Sequence, residues 1–160
     1  MGGLETIHTL EVKKEVEIAA TIGIVWETML EHLGPLNESP TGEIHKLKLE
    51  PWPGGRWYRD FGNNTGHCWG YVQAIEPPSL IEIHGPMFMS APAISHVIFR
   101  LKEEGGLTHL KFSHRAIGQI PENVRDGMEM NTGWSRFASN LKADVLSRLS
   151  RNTKTKKEKK

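Results

Sequence analysis

The feature that most constrains this chain is a change of hydrophobic period. From Met130 the apolar residues Trp134, Phe137, Leu141, Val145 and Leu149 recur at steps of three and four. That is the spacing of one face of an α-helix. The stripe is about 20 residues long, roughly 30 Å of helix, enough to lie across a whole sheet. A second helical segment can start at Pro121, whose fixed φ suits a first helical position.

Upstream of that stripe the pattern is short and alternating. Over Thr6–Ala19, Leu10, Val12, Val16 and Ile18 largely alternate with Lys and Glu, the mark of a strand with one wet face. Thr21 is placed to cap a helix reaching about Leu33, whose apolar face is Val25, Trp26, Met29, Leu30 and Leu33, and Gly34-Pro35 ends it. Further strands are expected at Glu43–Glu50, Arg56–Phe61, His67–Glu76, Leu80–His84, Ser95–Glu103 and Thr108–His114. Between them lie a hairpin loop at Gly62–Gly66, a Pro77-Pro78 turn, a loop at Gly85–Pro92 and a tight turn at Glu104-Gly105-Gly106. Such short connections make antiparallel neighbours. The order is strand, helix, run of strands, long helix. An antiparallel sheet of about seven strands has an apolar face that only the long helix can cover, so the class is α+β. Curling the sheet around that helix leaves a space between them.

Charge divides the chain in two. Residues 1–150 hold 14 basic and 18 acidic side chains, a net −4, whereas residues 151–160 hold six bases and one acid. The expectation is a single domain over 1–150 and a disordered basic tail over 151–160. An acidic body lacks the basic face that nucleic acid requires. The one cysteine, Cys68, excludes an intrachain disulfide and a cysteine-rich zinc module. No apolar run is long enough for stable membrane insertion and none resembles a signal peptide, which makes a cytoplasmic location the expectation.

Several motifs in this order carry a family likeness: Val25-Trp26 on the first helix, Gly54-Gly55-Arg56-Trp57, and Gly70-Tyr71-Val72 running to Glu76-Pro77-Pro78 and Leu80. Phe99-Arg100-Leu101 with Glu103-Glu104-Gly105-Gly106, then Thr108, Leu110 and His114, and finally Gly133-Trp134 with Leu141-Lys142 complete the set. Over about residues 8–149 the chain resembles the START-like (SRPBCC, helix-grip) superfamily, within it the activator-of-heat-shock-protein-ATPase-homologue (AHSA-type) group. Two positions depart from the family pattern. Asn37-Glu38-Ser39 stands where a tryptophan is frequent, and His84 where an aromatic residue is frequent. The resemblance implies a curved sheet wrapped around the C-terminal helix with a hydrophobic cavity inside. It implies no single activity, because one fold hosts carriers, cyclases and a co-chaperone domain.

The candidate cavity residues are Trp57, Trp69, His84, Met87, Phe88, Met89, Phe99, Phe112, His114, Met130 and Trp134. Broad rings and flexible thioethers suit an adaptable apolar pocket, although ordinary core packing uses the same residues. Strand parity puts Val97, Phe99 and Leu101 on the inward face with Leu110, Phe112 and His114, which turns His96 and His109 outward. Glu82 and His84 share a face opposite Ile81 and Ile83. Burial preference sends them to solvent, while the family register brings them into the cavity near His114. The eight histidines show no metal-ligand spacing, and no phosphate loop or nucleophile motif is present. Accordingly no catalytic residue, metal or cofactor is assigned. The expected function is a module binding a small, largely apolar ligand. The alternatives are a protein-interaction domain of co-chaperone kind, with a chaperone or other protein as partner, and a cyclase- or hydrolase-like enzyme. A homodimer stays open.

Overall fold

The computed structural model describes residues 6–125 and 128–158, with side chains for all of these but 128–130 and 155–158. Strand β1 (His8–Ile18) leads to helix α1 (Ile22–Leu33). The strands β2 (Leu47–Leu49), β3 (Arg56–Gly62), β4 (Thr65–Glu76), β5 (Leu80–Gly85), β6 (Ala93–Glu104) and β7 (Leu107–Gly118) follow, then a short helix α2 (Glu122–Arg125) and the long helix α3 (Met128–Glu158). All seven strands form one antiparallel sheet in the order β1-β7-β6-β5-β4-β3-β2. The α+β class expected from the order of elements and the helix-grip architecture that the resemblance implied are therefore both present.

Alternation decides which face is dry. On β6, Ser95, Val97, Phe99 and Leu101 are buried. Across the ladder Leu110, Phe112, His114 and Ala116 are buried with them. Trp134, Phe137, Leu141 and Val145 of α3 close over this face, and all four are buried. The helical stripe and the two-residue period of the strands thus meet in one core. His96 and His109 face outward, pairing with Glu82 at 3.2 Å and Glu17 at 3.2 Å.

Local chemistry sets several boundaries differently from the sequence pattern. Thr21 occupies the N-cap of α1 but makes no side-chain cap bond. The Glu103 carboxylate instead accepts a bond from the Ile22 amide at 2.6 Å, a cap supplied from the far hairpin. The strand expected over Glu43–Glu50 shrinks to Leu47–Leu49, because Lys46 takes a left-handed conformation at φ 53° that interrupts the extended run. The β3–β4 connection is a two-residue turn, with Asn63 and Asn64 both at positive φ, the geometry that matches strand twist. Trp52 belongs to no cluster and is exposed.

Helix α3 also runs past Leu149 to Glu158, beyond the boundary expected at residue 150. No glycine or proline stops it, and Arg and Lys are good helix formers. Lys159 and Lys160 lie outside the described residues. The side chains of Arg151–Lys154 are exposed. Deleting residues 151–160 should shift the melting temperature by no more than about 2 °C, the size expected for loss of exposed contacts alone. A larger drop in a thermal melt would place part of this segment in the cooperative fold.

Candidate functional site

Between α3 and the β3–β4 end of the sheet lies a cavity of about 220 Å³. Its walls come from six parts of the chain. Trp57 and Arg59 of β3 and Trp69 of β4 form one side, and His114 of β7 joins them. Gly133, Trp134 and Phe137 of α3 form the other, while Met87 and Phe88 of the β5–β6 loop close one end. Asn37, Glu38, Pro40 and His45, from the segment between α1 and β2, close the opposite end.

Packing gives the aromatic wall its rigidity. Trp69 meets Trp57 edge-on at 5.3 Å, His45 at 5.3 Å and Phe88 at 5.9 Å between ring centroids. These are favourable quadrupole geometries. Trp57 is further anchored by its indole N–H, which donates to the Leu33 carbonyl at 2.6 Å and satisfies an orphan acceptor at the end of α1. Trp134 is held the same way, its indole N–H donating to His114 Nδ1 at 3.1 Å.

That bond fixes the state of His114. Nδ1 accepts, so the proton sits on Nε2, which donates to Ser95 Oγ at 2.7 Å. Burial lowers the pKa of His114 to about 4. The ring is therefore neutral at physiological pH, and neither nitrogen is free to exchange a proton with a ligand.

The polar end is built by the loop after α1. The Asn37 amide donates to the His32 carbonyl at 3.0 Å, which turns its oxygen toward His45 Nδ1 at 2.7 Å. His45 therefore carries its proton on Nδ1. Burial lowers its pKa, and the neighbouring Arg59 charge adds to the effect. Glu38 is held by Arg136 Nε at 2.7 Å and Asn140 Nδ2 at 2.8 Å, and the Arg136 bond keeps its carboxyl below the usual range. Gly42 makes this possible: at φ 92° it passes so close to Arg136 that an added Cβ would sit 2.8 Å from Nη2. Ser39 Oγ accepts from the amides of Thr41 and Glu43, fixing the loop.

Of the residues expected at the site, Trp57, Trp69, Met87, Phe88, His114 and Trp134 line the cavity. His84 does not. It lies on the outer sheet face with Glu82, its ring tilted against Tyr71 at 6.3 Å between centroids, because Ile81 and Ile83 take the buried positions. Phe99 and Phe112 pack behind the wall, stacked on each other at 5.2 Å and in contact with Trp134 and Phe137. Met89 is likewise buried in the core and does not reach the cavity. Met130 is in the first turn of α3, but its side chain lies outside the described residues. Asn37, Glu38, Pro40, His45, Arg59 and Phe137 also line the cavity without having been among the residues expected there, although Phe137 belongs to the helical stripe. The break from the family at Asn37-Glu38-Ser39 and the shared parity of Trp57 and Arg59 were the available signals. Among the described residues, no three His, Cys, Asp or Glu side chains come close enough to hold a metal ion.

The sequence profile of a known family, described as Activator of Hsp90 ATPase homolog 1-like protein, matches residues 19–145, most of the chain. The chain belongs to this family. Solved structures sharing its fold include a protein from Nitrosomonas europaea with a TM-score of 0.66 and 13% identity, over 89% of this chain and 97% of that one. The Aha1 dimer from Colwellia psychrerythraea aligns with a TM-score of 0.61 and 15% identity, over 85% and 96% of the two chains. The Zhui aromatase/cyclase from a Streptomyces species gives 0.62 and 16%, over 89% and 96%. No curated protein matches the sequence. Family and fold together are those of ligand-binding or co-chaperone-like domains. No described helix is long and apolar enough to cross a membrane.

Proposed function

We propose that this protein is a binding module that holds a small molecule with a largely apolar body between the sheet and α3. The observation that carries this reading is the cavity of about 220 Å³ walled by Trp57, Trp69, Phe88, Trp134 and Phe137. Concave, mostly aromatic space with few polar groups is the usual form of a ligand site. A cytoplasmic setting goes with this proposal. The enzyme reading is weaker, because both His114 nitrogens are engaged. The protein-docking reading draws on Ile94 and Ile117, opposed across β6 and β7 and about half exposed on the outer face. Two side chains fall short of the few hundred Å² that mark an interface, so this reading ranks second.

Gly133 provides the test. It faces the cavity from α3, and a Cβ there would touch only Pro40 at 3.6 Å. Gly133→Ala should raise stability by about 0.5–1 kcal/mol, since a helix-interior glycine is unfavourable, and leave binding intact. Gly133→Leu should fill the cavity. Native mass spectrometry should find a small mass on freshly purified wild type and Gly133→Ala, but not on Gly133→Leu. Titration with 2-naphthol should show the same order. A leucine variant that binds 2-naphthol as tightly as wild type would overturn the proposal.

A further inference from the structure

The charges around the cavity do not cancel evenly. Among the described residues Glu38 is the one acid in the wall, and Arg136 and Asn140 already hold it. Arg59 is the only guanidinium in the wall among the described residues, and none of these gives it such a partner. Its Nε donates to the His45 carbonyl at 2.9 Å, and its guanidinium lies 5.0 Å from the centre of the Phe61 ring. Among the described residues no carboxylate comes within ion-pair distance of it. The adjacent Asp60 turns away to Lys48 at 2.9 Å, and Glu43 near His45 is exposed to solvent. The terminal nitrogens of Arg59 thus remain as a planar fork beside an aromatic wall, the geometry that grips a carboxylate through two parallel bonds. The carbonyl and the ring set the direction of the fork before any ligand arrives, which lowers the ordering cost of binding. The field of Arg59 reaches the cavity, since it helps to depress the pKa of His45 on the same wall. Low-dielectric aromatic surroundings strengthen that field relative to water.

We propose that the ligand is an aromatic acid, its carboxylate paired with Arg59 and its rings lying among Trp57, Trp69, Trp134 and Phe137. This inference rests on the cavity being a ligand site and specifies the class of molecule it takes. The positive tail beyond residue 150 plays no part, for it is at the other end of α3 from Gly133 and Trp134.

Calorimetric titration of the full chain with 2-naphthoate, 2-naphthamide and 2-naphthylmethylamine separates the two readings. Wild type should bind the acid about tenfold more tightly than the neutral amide, the value of a charge-assisted bond, and the amine least. Arg59→Gln should bring the acid to within about twofold of the amide, and a melting temperature within a few degrees of wild type would show that the variant is folded. Equal affinity of wild type for acid and amide would overturn the inference while leaving the cavity reading intact. Retention of the acid preference in Arg59→Gln would do the same. Failure of all three probes to bind would overturn both.

Discussion

Phe99→Ala is expected to cost about 3–5 kcal/mol of stability and to lower the melting temperature by about 10 °C or more. Phe99 is completely buried at the centre of the core. It stacks on Phe112 at 5.2 Å and meets Phe137 at 5.8 Å and Trp134 at 5.9 Å. Truncation removes the transfer free energy of the ring, those aromatic contacts and the support behind the α3 wall of the cavity. Net stability of a domain is only about 5–15 kcal/mol, so the variant should be close to unfolding at physiological temperature. Phe99→Leu should cost less, because it keeps most of the volume, and should still bind 2-naphthol. Chemical denaturation of both variants decides the matter. A loss below about 1 kcal/mol for alanine would mean that this cluster is not the mechanical centre of the fold.

The second large effect is a dependence on pH that His114 creates. Its pKa falls from the ordinary 6.5 to about 4 because burial excludes the charged form. Above pH 6.5 neither the folded nor the unfolded chain protonates this ring, and its full contribution to stability is present. As pH falls below 6.5 the unfolded chain takes up a proton that the folded one refuses, so unfolding becomes easier. The loss is complete near pH 4 and amounts to about 3 kcal/mol. His114→Gln does not titrate, yet an amide can still accept from Trp134 and donate to Ser95. Unfolding free energies of wild type and His114→Gln, measured between pH 7 and 4, should therefore converge by about that amount. Parallel profiles would show that the imidazole is not kept neutral by burial.

These two residues also show how far the sequence could be read. Phe99 and His114 share the inward face, and strand parity alone places them there. Parity does not say whether an inward side chain meets protein or empty space. Phe99 meets three rings and is core, whereas His114 touches the cavity through the same kind of strand position. His84 shows the complementary ambiguity. An imidazole can sit on either face, and the buried isoleucines beside it decided which.

The loop after α1 was the least legible part. Asn37 is hydrogen-bonded to His45 and to the His32 carbonyl, and Glu38 to Arg136 and Asn140 of α3 across about a hundred residues of sequence. Polar side chains in a loop carry no period, so nothing local shows which of them turn inward. Arg59 is similar. Its parity with Trp57 was readable, but its lack of an acidic partner emerges only when every neighbouring carboxylate has been placed.

By itself the sequence determined the elements and their order, because hydrophobic period and turn chemistry are local properties of the chain. It also determined that the long helix must cover the curved sheet, since only its apolar stripe is long enough to lie across all of it. Only the tertiary structure decided where that cover is incomplete. A cavity is a mismatch between the volume enclosed by distant elements and the side chains that fill it, and its electrostatics follow from which charges are left unpaired there. Both are sums over residues far apart in sequence, and no local pattern encodes them.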